Sequence, residues 1–142
     1  MQIRLARIQF TNLDYQVDTY DPEVTHELET SFGVGSNFAS DNNKAFAVNF
    51  DIKLKSADDK FRLNLKATAH FSTEENIGEN FQKSSFVSIN APAIAFPYVR
   101  TYISNLTLNS GYDPIILPSI NFVQLASQKD QEDQSNQEED SL

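Results

Sequence analysis

Apolar and polar residues alternate with a period of two through the middle of the chain. Phe46, Val48, Phe50, Ile52 and Leu54 stand opposite Ala47, Asn49, Asp51, Lys53 and Lys55. After the polar link at residues 56–60, Phe61, Leu63, Leu65, Ala67, Ala69 and Phe71 alternate with Arg62, Asn64, Lys66, Thr68 and His70. Period two over this length predicts two strands joined by a hairpin-sized link, with Asp58 and Asp59 as its turn formers. One face is apolar and the other polar, which favours an antiparallel sheet wetted on one side. A weaker alternation, Val24, His26, Leu28, Thr30, Phe32 and Val34, predicts a further strand. The first segment changes parity twice. Ile3 and Leu5 share one parity, Ile8 and Phe10 the other, and Leu13, Tyr15 and Val17 return to the first, as in a long edge strand with bulges. Asp21-Pro22 and residues 36–43 read as connections. The expected result is a four-stranded antiparallel meander from residue 3 to about residue 73.

The second half changes character. Residues 77–91 read as a crossover loop that could hold a helical turn. Pro97 suits the first turn of a helix, where its missing N–H costs nothing, and Val99, Ile103 and Leu106 then form one apolar face with Tyr102 beside it. Gly111 is the expected C-terminal stop. Asp113-Pro114 turns the chain, and Ser119 is the expected N-cap of a short final helix contacting the core through Phe122 and Leu125. The class is therefore α+β: a four-stranded antiparallel sheet, a long helix and a short C-terminal helix.

Composition narrows the chemistry. At 142 residues the chain is long enough for one domain with a real core, and it contains no cysteine for disulfides or thiolate metal sites. The domain is expected over residues 1–126. Residues 127–142 hold six acids against one lysine, −5 of the chain's −9, and have no apolar residue before Leu142, so they read as an acidic disordered tail. An acidic chain repels phosphates, so nucleic acid is not an expected partner. No stretch approaches the roughly 20 apolar residues of a membrane span. The first residues show neither an h-region nor a cleavage site, so a cytoplasmic protein is expected. His26 and His70 lack ligand-spaced neighbours, Ser84-Ser85 lacks elbow glycines, and Gly33 and Gly35 lack the third glycine of a phosphate loop. No metal, cofactor or catalytic constellation emerges, and a binding protein rather than an enzyme is expected.

The order of parts after the sheet carries a resemblance. Ile94-Ala-Phe-Pro-Tyr-Val-Arg100, then Ile103, and later Pro118-Ser-Ile-Asn-Phe122 are similar to the Leu-Phe-Pro-Tyr-x-Arg helix start and the Pro-Val-Asn-Phe segment of the SecB-like export chaperones. The likeness extends loosely over residues 1–126. It implies an ATP-independent holdase that binds unfolded polypeptides and preproteins in hydrophobic grooves. It also implies a homotetramer, a dimer of dimers with long helices between outer sheets. The eleven phenylalanines and five tyrosines would then provide aromatic surface for clients. Phe96, Tyr98, Tyr102, Ile103 and Leu106 are the candidate client-binding residues. The family docks the SecA motor through acids on the sheet's outer face, and those positions fall here at Asn12, Gln16, Arg62 and Asn64. Asp14 and Asp18 are the nearby candidates for a shifted site. A chaperone attached to a toxin–antitoxin system, and a small-ligand or lipid cup between sheet and helix, are the alternative readings.

Overall fold

The computed structural model describes residues 2–19 and 27–129. Four antiparallel strands, β1 (Ile3–Val17), β2 (Glu29–Phe38), β3 (Ala45–Lys55) and β4 (Phe61–Thr73), form one sheet. One helical turn, α1 (Glu79–Gln82), a π-helical turn (Phe86–Asn90) and the long helix α2 (Ala91–Asn109) follow. A short helix α3 covers residues 122–129. These parts are the expected ones, but the sheet order is β1-β4-β3-β2. Only β2, β3 and β4 form a meander. β1 closes against β4 instead of β2, which makes the four strands a Greek key. Strand alternation predicts faces and not neighbours, so the sequence pattern could not separate the two orders.

The two parity changes in β1 are bulges. The β1–β4 register slips between Leu5 and Arg7 and again between Phe10 and Asn12, so Ala6 and Thr11 are the extra residues. Each slip returns the apolar residues to the inner face. Leu5 therefore pairs with Phe71, Ile8 with Ala69, Phe10 with Ala67 and Leu13 with Leu65. The β3–β4 link is built on Ser56, which is fully buried. Its hydroxyl donates to Asp58 Oδ1 at 2.6 Å and accepts the Phe61 N–H at 3.0 Å. The Ser56 bond, with the Lys60 N–H also donating to this carboxylate, holds the Asp58 pKa below its ordinary value near 3.8. Asp59 takes the left-handed conformation at φ 61°. Of the weaker β2 alternation, Val24 and His26 lie outside the described residues. Phe32 and Val34 pack against the core, and β2 runs on to Phe38, beyond the expected start of the connection at residue 36.

The crossover is more helical than expected, and Pro97 does not open the long helix. Pro92 occupies the first turn, and Pro97 lies inside α2. Without its N–H the i→i−4 bond to the Ala93 carbonyl cannot form, which bends the helix. The length of the run before Pro97 was hidden because Phe86, Val87, Ile89 and Ala91 reach the core through a π-turn, outside 3.6-residue spacing. Gly111 ends α2 as expected, with φ +93°. Its N–H bonds the Leu108 carbonyl, and the Tyr112 N–H bonds that of Thr107, the paired bonds of a Schellman stop. The following segment is extended and held to α2 by two hydroxyls. Ser104 Oγ donates to the Ile115 carbonyl at 2.7 Å, and Thr107 Oγ1 accepts the Ile115 N–H at 2.9 Å. The cap of α3 is Asn121, not Ser119: Asn121 Oδ1 accepts the Gln124 N–H at 3.1 Å. Phe122 and Leu125 make the expected apolar contacts. The helix continues to residue 129, past the expected domain edge at 126, and residues 130–142 lie outside the described ones.

The core lies between the inner sheet face and the helices. Phe50, Ile52, Leu54, Leu63, Leu65 and Phe71 are each at most 2% exposed, and Ala91, Ala95, Val99 and Ile103 of α2 are fully buried against that layer. Every one of the eleven phenylalanines has an aromatic partner. Phe32, Phe50, Phe96 and Phe122 form one cluster, and Phe38, Phe46, Phe71, Phe81 and Phe86 form another. The phenylalanine content expected to supply client surface is thus used mainly inside the molecule.

Candidate functional site

Ile116 and Val123 are exposed singly, and a larger apolar surface is left uncovered where β1 meets α2. Because β1 is an edge strand, its inner row has β4 on one side only. Leu5, Ile8 and Phe10 are partly exposed, and Leu13 is 39% exposed. α2 approaches this row through Tyr102, whose ring stacks on Phe10 with centroids 3.9 Å apart and planes 15° from parallel. Beside that pair runs an open groove of about 520 Å³, walled by Leu5, Ile8 and Phe10 on the strand and by Tyr98, Thr101 and Tyr102 on the helix. The Ala6 bulge makes this wall. Without it Ile8 and Phe10 would point to the opposite face from Leu5.

The groove opens onto a stripe along α2. Ile94, Tyr98, Thr101, Asn105 and Leu108 follow helical spacing on its solvent side, with Ile94 42%, Tyr98 58% and Leu108 55% exposed. None of these residues is charged, and Arg100 is the sole charged residue of α2. Its Nε is buried with no hydrogen-bond partner. The stripe is thus uncharged along its length and apolar at both ends.

The five candidate client residues therefore separate. Tyr98 and Tyr102 line the groove. Leu106 is partly buried against the core, while Phe96 at 4% exposure and Ile103 at 0% lie within it. Sequence reading missed Leu5, Ile8 and Phe10, although the parity change in β1 was the available clue to an uncovered edge. The Phe32, Phe50, Phe96 and Phe122 rings fill the middle of the sheet–helix layer, and space between sheet and helices remains at the β2 edge, where a cavity of about 520 Å³ is lined by Val34, Val87, Pro92 and Leu125.

On the outer sheet face, Asp14 pairs across the strands with Asn64, and its carboxylate meets Arg62 Nε at 3.3 Å. Asp18 lies just beyond β1, with its N–H on the Lys60 carbonyl. His70 is a surface residue bonded to Gln9 at 2.8 Å. No group of three metal-ligating side chains occurs among the described residues. No helix among them is long and apolar enough to cross a membrane.

The family model described as "Preprotein translocase subunit SecB" matches residues 5–133. The chain belongs to the SecB family. Among curated relatives, a protein-export protein SecB of Anaplasma marginale is 32% identical over 97 residues, covering 66% of this chain and 55% of that protein. The SecB of Bartonella bacilliformis is 29% identical over 141 residues, covering 93% of this chain and 86% of the relative. The chain spans about half the length of the first of these relatives. Among solved structures, a Mycobacterium tuberculosis SecB-like chaperone in complex with a peptide of the HigA1 antitoxin superposes with a TM-score of 0.66. That match covers 83% of this chain and 90% of the other at 17% identity, a likeness of fold. The SecB fold of this chain thus has its sheet, bent helix and terminal helix in the order the resemblance implies.

Proposed function

We propose that this SecB-family chain is an ATP-independent holdase that captures non-native polypeptides, preproteins for export among them, along the groove between β1 and α2. The observation that carries the reading is the Phe10–Tyr102 stack beside exposed Tyr98, an aromatic surface left open by a protein whose phenylalanines otherwise pair inside the core. Such a groove is mainly apolar and aromatic, with Arg7, Thr101 and Asn105 as its polar lining, which suits clients of varied sequence. Several shallow sites on one client then raise avidity where each is weak. Ile94 and Leu108, the exposed apolar ends of α2 outside the groove, favour self-association, and a homotetramer would place several grooves on one particle. The chemistry is binding, not catalysis, and the proposed location is the cytoplasm.

The test is suppression of aggregation of a chemically unfolded model client, without nucleotide, alongside the particle mass by light scattering. The wild-type chain should suppress aggregation at near-stoichiometric ratios and weigh about four times its 16.0 kDa chain mass. Phe10→Ser with Tyr102→Ser should weaken client binding about tenfold, the loss of roughly 1.4 kcal/mol of aromatic contact, with the circular dichroism of the fold retained. A folded wild-type monomer that leaves client aggregation unchanged overturns the reading.

A contact with the SecA motor through Asp14 and Asp18 is the finer proposal. Its support is positional, since both acids are at one end of the outer sheet face, but the Asp14 charge is already matched by Arg62. Asp18→Asn is therefore expected to reduce SecA binding more than Asp14→Asn when the two are compared by surface plasmon resonance. Equal binding of wild type and both variants rules this contact out. The antitoxin-peptide complex of the M. tuberculosis neighbour makes a toxin–antitoxin client the second reading.

A further inference from the structure

The outer face of the sheet carries a charge opposite to that of the molecule. The chain has 11 lysines and arginines against 20 acids, for a net −9. The strand registers nonetheless place Arg4, Arg7, Lys53, Lys55, Arg62 and Lys66 together on this one face. Its acids are Asp14, Glu29 and Asp51, with Asp18 just beyond the end of β1, so six bases stand against four acids. Arg62 is matched by Asp14 at 3.3 Å, and Lys55 lies 3.9 Å from Asp59. Arg4, Arg7, Lys53 and Lys66 have no ion pair among the described residues. A local excess of one sign in a chain of the other attracts counter-charge of the majority sign.

The face also has an entrance. Gly33 and Gly35 of β2 project no side chain, and a Cβ on Gly35 would meet nothing within 4 Å. They leave an open depression of about 410 Å³ that reaches Asn49, Lys66 and Thr68 across the sheet. Asp51 borders it, and its Oδ1 is buried with no hydrogen-bond partner. The end of α3 lies beside this entrance: Lys129 Nζ donates to the Val34 carbonyl, between the two glycines, at 2.8 Å. The described residues therefore end, at Lys129, beside the β2 edge.

We propose that this basic outer face is the docking surface for the chain's own acidic segment, residues 130–142, which crosses the sheet from the Gly33–Gly35 entrance toward Lys66 and Lys53. Charge, reach and composition support that occupant. The segment carries Asp130, Glu132, Asp133, Glu138, Glu139 and Asp140 and no base. Thirteen residues extend to about 40 Å, against about 15 Å for the width of four strands. Between its two acidic groups lie Gln134, Ser135, Asn136 and Gln137, whose side chains can donate to Asp51 while the carboxylates meet the lysines. The inference is independent of client capture at the β1–α2 groove, which lies on the opposite side of the sheet.

The cysteine-free chain makes the test direct. A spin label on Ser141→Cys in the full, isotope-labelled protein should broaden the amide signals of Gly35, Asn49, Lys53 and Lys66 and leave Leu108 on α2 sharp. The broadening should disappear near 0.5 M salt, where screening acts within about 4 Å, and in Lys53→Gln with Lys66→Gln. Broadening spread equally over both faces, or unchanged by salt and by the lysine substitutions, overturns the proposal. A mixture of spin-labelled, isotope-free chain with label-free, isotope-enriched chain identifies the donor. Outer-face broadening as strong in that mixture would assign the segment to a second copy and overturn docking on its own chain. An acidic peptide of residues 130–142, added to the spin-labelled protein, should restore the signals by competition.

Discussion

Phe96→Ala is expected to lower the unfolding free energy by about 3–5 kcal/mol, read as a shift of the urea midpoint at constant slope. Phe96 is the residue of α2 that joins three elements. Its ring lies 5.6 Å from Phe32 of β2, 6.2 Å from Phe50 of β3 and 5.8 Å from Phe122 of α3. Truncation removes the ring from all three at once. The sheet cannot close the void, because Phe50 and its neighbours are held in the β-ladder. Phe96→Leu retains much of the volume and should cost about 1.5 kcal/mol or less. The same pair of variants separates core from groove. If Phe96 contacted clients from the surface, Phe96→Ala would weaken capture and leave the midpoint unchanged, and the assignment of this residue to the core would fail.

The contrast between Phe96 and Phe10 shows what the sequence could convey. Strand periodicity named the inner face residue by residue, and the parity slips in β1 even located its bulges. The parity slips also marked β1 as an edge strand, but periodicity says nothing about which strand borders which, so the pairing of that edge strand with β4 was not legible. The partner of that edge was still harder to read, because Tyr102 reaches Phe10 from a residue 92 positions away by ring stacking, a contact without a local pattern. The Ile94–Phe122 stretch identified the family but misled on geometry. Its Phe-Pro-Tyr order invited a helix start, whereas α2 begins before it through Pro92 and a π-turn. Family likeness transfers the presence of a segment more reliably than the conformation at each of its residues.

Charge was legible only in part for the same reason. Net charge and the acidic tail come directly from composition. The basic character of the outer sheet face requires the register that brings Lys66 of β4 opposite Asp51 and Arg62 opposite Lys55. The uncharged Asn12 and Gln16 were visible in the sequence as missing acids. That Asp14 spends its charge on Arg62 appears only when β1 is placed beside β4.

Pro97→Ala is expected to stabilise the isolated fold by about 2 kcal/mol while impairing client capture. A proline inside a helix costs about 3 kcal/mol relative to alanine, through the lost hydrogen bond and the clash with the carbonyl four residues back. It returns about 1 kcal/mol by restricting the unfolded chain. The difference favours alanine because Pro97 lies on the exposed side of α2, where its replacement leaves no core void. The cost of removing it is geometric. Pro97 immediately precedes Tyr98, and a straighter helix would carry Tyr98 and Tyr102 away from the β1 row on which Phe10 stacks. Thr101 Oγ1, which now donates to the Pro97 carbonyl at 2.9 Å, would remain available to the relaxed turn. A higher urea midpoint together with weaker suppression of client aggregation is the expected pair of results. A lower midpoint would show instead that the bend is required for Phe96 and Val99 to reach the sheet, so that the proline serves the core and not the groove.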